Sequence, residues 1–249
     1  MEGFLAIGFL VGMSHALEAD HVAAVGVMAA DPKAGRGRRN LVLRGAVWGL
    51  GHTITLFALC TLVILFGVAL TDATSAALEF GVGVMLVLLG IDVLRRMRRA
   101  RVHFHMHDHG DGKPHIHAHS HHGATQPHSS DQHDHEHPSG FPVRALLVGL
   151  VHGAAGSAGL LALAVAATQD PLVAVGYVGV FGVGSIAGMA ALSFVAAWPL
   201  GWAERGAKWL HGALTVAVAA LAITIGVGVM LETGALASDL LPQLPWIAD

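Results

Sequence analysis

The sequence predicts an all-α polytopic membrane protein, a bundle of six transmembrane helices, on three observations. Hydrophobic residues make up 54% of the chain and charged ones only 12%, about half the charge usual in a soluble domain. All 14 Lys and Arg fall in four places: 33–44, 95–113, Arg144 and 205–208. The stretches between them are apolar and long enough to cross a bilayer, which takes about 20 residues at about 1.5 Å each.

Segment one is expected over about Phe4 to Ala30, rich in the small residues that let helices approach closely in lipid. It lacks a basic start and is too long for the core of a signal peptide, so it reads as a retained span. Asp31-Pro32 ends it, and a basic loop follows with Lys33, Arg36, Arg38 and Arg39. Segment two covers about Val42 to Leu70, and segment three about Ala76 to Leu94, stopped by a run of arginines from Arg95 to Arg101. Segment four is read over about Val143 to Ala167, segment five over Leu172 to Leu200, and segment six over Leu210 to Leu231. The organisation is a first three-helix half (1–101), a histidine-rich loop (102–140) and a second three-helix half (141–249).

The loop holds 13 of the 18 histidines, in alternating runs such as His103-Phe104-His105-Met106-His107 and His115-Ile116-His117-Ala118-His119. With His, Asp, Ser, Gly and Pro dominating, it reads as a flexible metal-binding tract without a core. Six spans put this loop on the same side as the basic loops after segments one and five, and that side carries every Lys and Arg. The positive-inside rule then predicts a multi-pass protein of the inner (cytoplasmic) membrane, with both termini outside and the tract in the cytoplasm. The arginines are accounted for by the membrane, so no nucleic-acid partner is predicted. A single cysteine, Cys60, excludes an intrachain disulfide. Gly12-x-x-His15 echoes Gly149-x-x-His152, and Gly49-x-Gly51-His52 echoes Gly182-x-Gly184-Ser185. This weak repetition fits two inverted three-helix repeats, an arrangement many transporters use.

The chemistry concentrates in Gly12-Met13-Ser14-His15-Ala16-Leu17-Glu18-Ala19-Asp20-His21, inside segment one. Ionisable groups at that depth are costly and mark a route or site for an ion. Counted from the segment ends, His15, Glu18, Asp20, His21, His52 and His152 all fall near mid-depth and are the candidate metal ligands. Imidazole with a carboxylate suits nickel, cobalt, zinc or copper, whereas magnesium or calcium would call for oxygen ligands. Against these stand blander roles: a packing network for His15, Asp20 and His21, and single structural roles for His52, His152 and Glu18. His211 reads as interfacial, and Asp92 as an arginine partner. On a regular helix Asp20 lies about 140° from His15 and His21 about 120° the other way, so the three cannot share one ion. Either segment one is unwound near Gly12 and Ser14, or the ion meets the ligands in turn, or Asp20 holds another histidine from behind.

At His15-x-x-x-x-Asp20-His21 the chain resembles the nickel/cobalt transporter superfamily, including the branch named after the urease accessory membrane protein. Gly49-Leu50-Gly51-His52-Thr53 and His152-Gly153-Ala154-Ala155-Gly156-Ser157 resemble further blocks of that family. The resemblance extends over about 4–100 and 141–232. It implies transport of Ni²⁺ or Co²⁺ as substrate, with no prosthetic group and with His15, Asp20 and His21 as recognition residues beside His52. Uptake is favoured, because the membrane potential draws a dication inward by about 4.6 kcal/mol per 100 mV. Efflux by the same fold, and a metal-sensing or accessory role in nickel-enzyme maturation, are the competing readings. A membrane metallohydrolase lacks support, since no His-Glu-x-x-His pattern is present, and the chain is read as no enzyme.

Overall fold

The computed structural model describes residues 2–30, 38–68, 71–99, 103–107, 115–119, 142–156, 168, 170–206 and 208–240. Seven helices make up nearly all of it: α1 (Glu2–His15), α2 (Ala19–Ala29), α3 (Arg38–Phe66), α4 (Asp72–Arg99), α5 (Val143–Ala155), α6 (Pro171–Gly206) and α7 (Lys208–Leu240). Four of these, α3, α4, α6 and α7, are long and apolar enough to cross a membrane, and the chain is a multi-pass membrane protein. Segment one is divided into two shorter helices. Segment four is represented by α5, and its expected continuation over 157–167 lies outside the described residues.

The surface is reversed relative to a water-soluble bundle. Large apolar side chains such as Leu88, Leu172, Val195 and Leu231 point outward, as they do where the solvent is hydrocarbon. The interior is built of small residues with a few large ones between them: Ala23, Ala24, Ala219 and Ala222 are sealed together with Trp48, Leu86 and Met189. Since lipid offers no hydrophobic drive between helices, close backbone approach carries the association. At the α4–α7 crossing, a Cβ on Gly83 would lie 2.7 Å from the Gly226 carbonyl, and one on Gly226 2.6 Å from that of Gly83. No other residue type fits either position.

The main packing pairs are α4 with α7, α3 with α6, α3 with α5, and α1 with α6. Smaller contacts join α2 to α7 and α4 to α5. Helix α3 therefore stands at the centre, with α5 on one side and α6 on the other, and α6 carries α1. At the arginine-rich end of α4, Asp92 ties α4 to α5: it accepts from Arg96 Nε at 2.9 Å and from Arg144 at 2.6 Å. This is the arginine partnership expected of it.

Part of the histidine tract, expected as a flexible metal-binding stretch, takes regular structure. Two antiparallel strands, β1 (His103–His107) and β2 (His115–His119), pair within it, His105 opposite His117. Alternation of histidine with Phe104, Met106, Ile116 and Ala118 is a period-two pattern, and that pattern suits a strand. The remainder of the tract lies outside the described residues.

Candidate metal centre

Helix α1 stops at His15 because its last turn tightens. The amides of Leu17 and Glu18 donate to the carbonyls of Ser14 and His15, three residues back, at 2.9 and 3.1 Å. Glu18 then takes an extended conformation (φ −62°, ψ 149°), and α2 restarts at Ala19. In its first turn Asp20 turns back on its neighbour: its Oδ1 accepts the His21 amide at 2.7 Å. Short polar side chains that bond adjacent amides in this way compete with a continuing helix and favour its ends. The interruption thus spans Ala16 to Glu18, a few residues beyond the Gly12–Ser14 stretch where the sequence suggested it. Gly12 is used otherwise, since a Cβ there would run into the Phe181 backbone of α6.

The break brings together what a straight helix would keep apart. The rings of His15 and His21 lie 4.5 Å apart, and that of His52 lies 5.3 and 5.2 Å from them. His152, from α5, stacks 4.2 Å from His21. His21, His52 and His152 are fully buried. Ligand atoms of His15, His21 and His52 fall within 4.8 Å of one another, and so do those of Asp20, His21 and His152. All six candidates therefore converge, with Glu18 at the edge.

Hydrogen bonding determines which nitrogens are available. His15 Nδ1 lies 2.7 Å from Glu18 Oε1, and His21 Nδ1 lies 2.8 Å from Asp20 Oδ1. The other Asp20 oxygen meets His152 Nε2 at 2.9 Å. An ionised carboxylate only accepts, so a ring nitrogen facing one acts as the donor, and in a neutral imidazole the opposite nitrogen is then the acceptor. Those opposite nitrogens, His15 Nε2, His21 Nε2 and His152 Nδ1, are buried without a partner among the described residues, as are both nitrogens of His52. Buried polar atoms normally find partners. Here several imidazoles leave lone pairs unspent at one point, which is the donor set a late transition metal takes.

A family described as NicO, high-affinity nickel-transport protein, matches residues 2–244. The chain belongs to this family. It is also similar to the urease accessory protein UreH of Bacillus sp. (strain TB-90), with 28% identity over 231 residues, 92% of this chain and 91% of that protein. No solved structure matches it.

Two aromatic residues of the centre escaped the sequence reading. Trp48 lies 5.5 Å from the rings of both His21 and His152 and is fully buried, its indole N–H without a partner among the described residues. Phe181 lies 5.3 Å from His15. Trp48 precedes His52 by four residues on α3 and so shares its face, which was the available signal. For Phe181 only the contact between α1 and α6 reveals the role. His211 is not part of the cluster; it sits near the start of α7, where its carbonyl accepts from Thr215 at 2.8 Å.

Proposed function

We propose that this nickel-transport family member carries Ni²⁺, and Co²⁺ with it, through a mid-membrane site in which His15, His21 and His52 supply the first ligands. The observation that carries this reading is the set of unpaired imidazole nitrogens, two of them on rings held from behind by Glu18 and Asp20. A carboxylate behind a ligating histidine orients the ring and raises its basicity. Asp20 also ties His152 to His21, so it supplies the local negative charge and fixes two rings at once. The test is Ni²⁺ and Co²⁺ flux into sealed proteoliposomes under a defined gradient. Absence of metal-dependent flux from the intact protein would overturn the reading.

Replacement of Asp20 by asparagine is expected to weaken metal binding by about 10–100-fold, the usual cost of losing such a supporting carboxylate. The amide can still accept the His21 N–H, so the protein should fold. Titration calorimetry with Ni²⁺ on the purified variant checks this.

We further propose six spans arranged as two inverted repeats, α1–α2 with α3 and α4 against α5 with α6 and α7. Support comes from matched contacts between helix pairs. A Cβ on Gly12 would strike the Phe181 carbonyl, and one on Gly149 the Trp48 carbonyl; Phe181 and Trp48 are the residues immediately before the echoing Gly182 and Gly49. Likewise Gly51 abuts Leu146, and Gly184 abuts Phe9. Inverted halves give a transporter two mirror-related conformations around one site. With both termini outside, uptake runs down the membrane potential and needs no coupled ion.

The histidine tract then serves as a cytoplasmic metal buffer. Deletion of residues 102–138 is expected to leave flux within about 2-fold of the intact protein, in keeping with the small effect of loop changes away from a core. The relative named as a urease accessory protein favours one second reading, a membrane scaffold that binds metal without carrying it. Normal metal movement by a His21→Ala variant in sealed vesicles would favour neither the site nor its ligands as a route.

A further inference from the structure

The side chains at the break grade from exposed to sealed. Glu18 is 57% exposed, His15 11% and His21 2%, and His52 is fully buried. Leu17 and Met13 beside Glu18 are exposed as well. Helix α1 contributes 14 residues before the break and α2 11 after it, so the two arms of the segment run about 21 and about 17 Å to either side of the break that holds Glu18. A half-exposed carboxylate at that depth is expensive against hydrocarbon. Interrupted backbone at membrane depth is tolerated only where protein covers it or where it lines a water-filled cavity.

We propose that the Glu18 face of the break lines an aqueous vestibule reaching from one membrane face to mid-depth, and that Glu18 captures the hydrated dication before His15 draws it inward. The part concerning the ion rests on the transport reading above; the part concerning water rests on geometry alone. One Glu18 oxygen engages His15 Nδ1, and the other, without a partner among the described residues, is the one assigned to the cation. The residue that orients His15 is therefore the one that first attracts its ligand. From there the donors become steadily less hydrated, so the ion exchanges water for imidazole in steps.

The vestibule is tested by cysteine accessibility in a Cys60→Ala background, in sealed vesicles of both orientations, with a membrane-impermeant cationic methanethiosulfonate. Thiols react as thiolates and so need water. Leu17→Cys and Glu18→Cys are expected to react at least about 10-fold faster than Leu88→Cys, a lipid-facing position of α4, because only hydrated thiols ionise. Rates equal to that of Leu88→Cys from both faces would overturn the vestibule, meaning that lipid or a second copy covers the break. Labelling does not depend on flux. Fast labelling in a protein that moves no metal would leave the vestibule standing and sink the transport reading instead.

Capture is tested separately by kinetics. Glu18→Gln is expected to raise KM for Ni²⁺ by at least about 10-fold at low ionic strength, because the lost support of His15 adds to the lost charge that steers the cation on its arrival. The difference from the intact protein should shrink at high ionic strength, and Glu18→Asp should restore KM. An unchanged KM, a rise that high ionic strength leaves undiminished, or an equal loss of maximal rate that aspartate does not rescue would overturn the capture role of Glu18.

Discussion

Replacing His21 by alanine is expected to lower Ni²⁺ flux by about 100-fold or more, beyond the 10–100-fold typical of losing a supporting partner. His21 is the hinge of the whole centre. Its Nδ1 and its backbone N–H both donate to Asp20 Oδ1, its ring packs against His15, His52 and His152, and its Nε2 is unpaired. Without the imidazole, one of three converging nitrogens is lost and Asp20 loses the ring it holds. Flux in proteoliposomes and Ni²⁺ titration of the same preparation should fall together. Flux retained at the level of the intact protein would remove His21 from the pathway. His52→Ala provides the comparison, since it deletes a ligand without touching any carboxylate.

Gly153→Ala is expected to be among the most damaging single-methyl changes in the chain. The added Cβ would overlap the His52 carbonyl oxygen and approach the neighbouring carbonyl carbon and Cα to 2.8 and 2.9 Å. All three are backbone atoms of a central helix, which cannot rotate away as a side chain can. Overpacking of this kind costs about 1–3 kcal/mol, and for a chain of this size that corresponds to a fall in melting temperature of about 2–12 °C. The displacement falls on His52 itself, so metal affinity should drop with stability. Gly81→Ala is the matched control, because open space surrounds its Cβ and alanine is the better helix former. Thermal unfolding of the detergent-solubilised variants separates the two. Equal midpoints would show that α3 and α5 can part without cost.

Much of this was legible in the order of residues. The membrane class followed from apolar length and from the clustering of Lys and Arg, because a bilayer imposes both directly on composition. The starts of long helices α3, α4, α6 and α7 were expected within four residues, while α6 and α7 run six and nine residues past their expected ends. The histidines and carboxylates of the centre stood out as costly groups in apolar segments, and the Asp92 pairing followed from arginines beside it. The two strands of the histidine tract were less legible, because their period-two alternation sits in a stretch whose His, Asp, Ser, Gly and Pro content forms no core.

The first segment shows where reading along the chain had to stop. His15, Asp20 and His21 were recognisable as a group, and helical periodicity alone required some distortion for them to meet one ion. The kind of distortion was not encoded locally in any obvious residue. Gly12, the natural candidate for a kink, is instead spent on contact with α6, and the helix ends at His15 where Ser14, Glu18 and Asp20 bond nearby backbone and ring groups. Likewise, Glu18 and Asp20 both stood among the candidate ligands in sequence, with a place behind another histidine open to Asp20. In three dimensions each sits behind a histidine, and Glu18 is the more exposed of the two, 57% against 27% for Asp20. Sequence alone determined which groups are buried at a cost in the membrane. Tertiary structure decided how these groups meet, because Asp20 reaches His152 only when α2 and α5 pack, and His52 comes beside His15 and His21 only when α3 packs against the break.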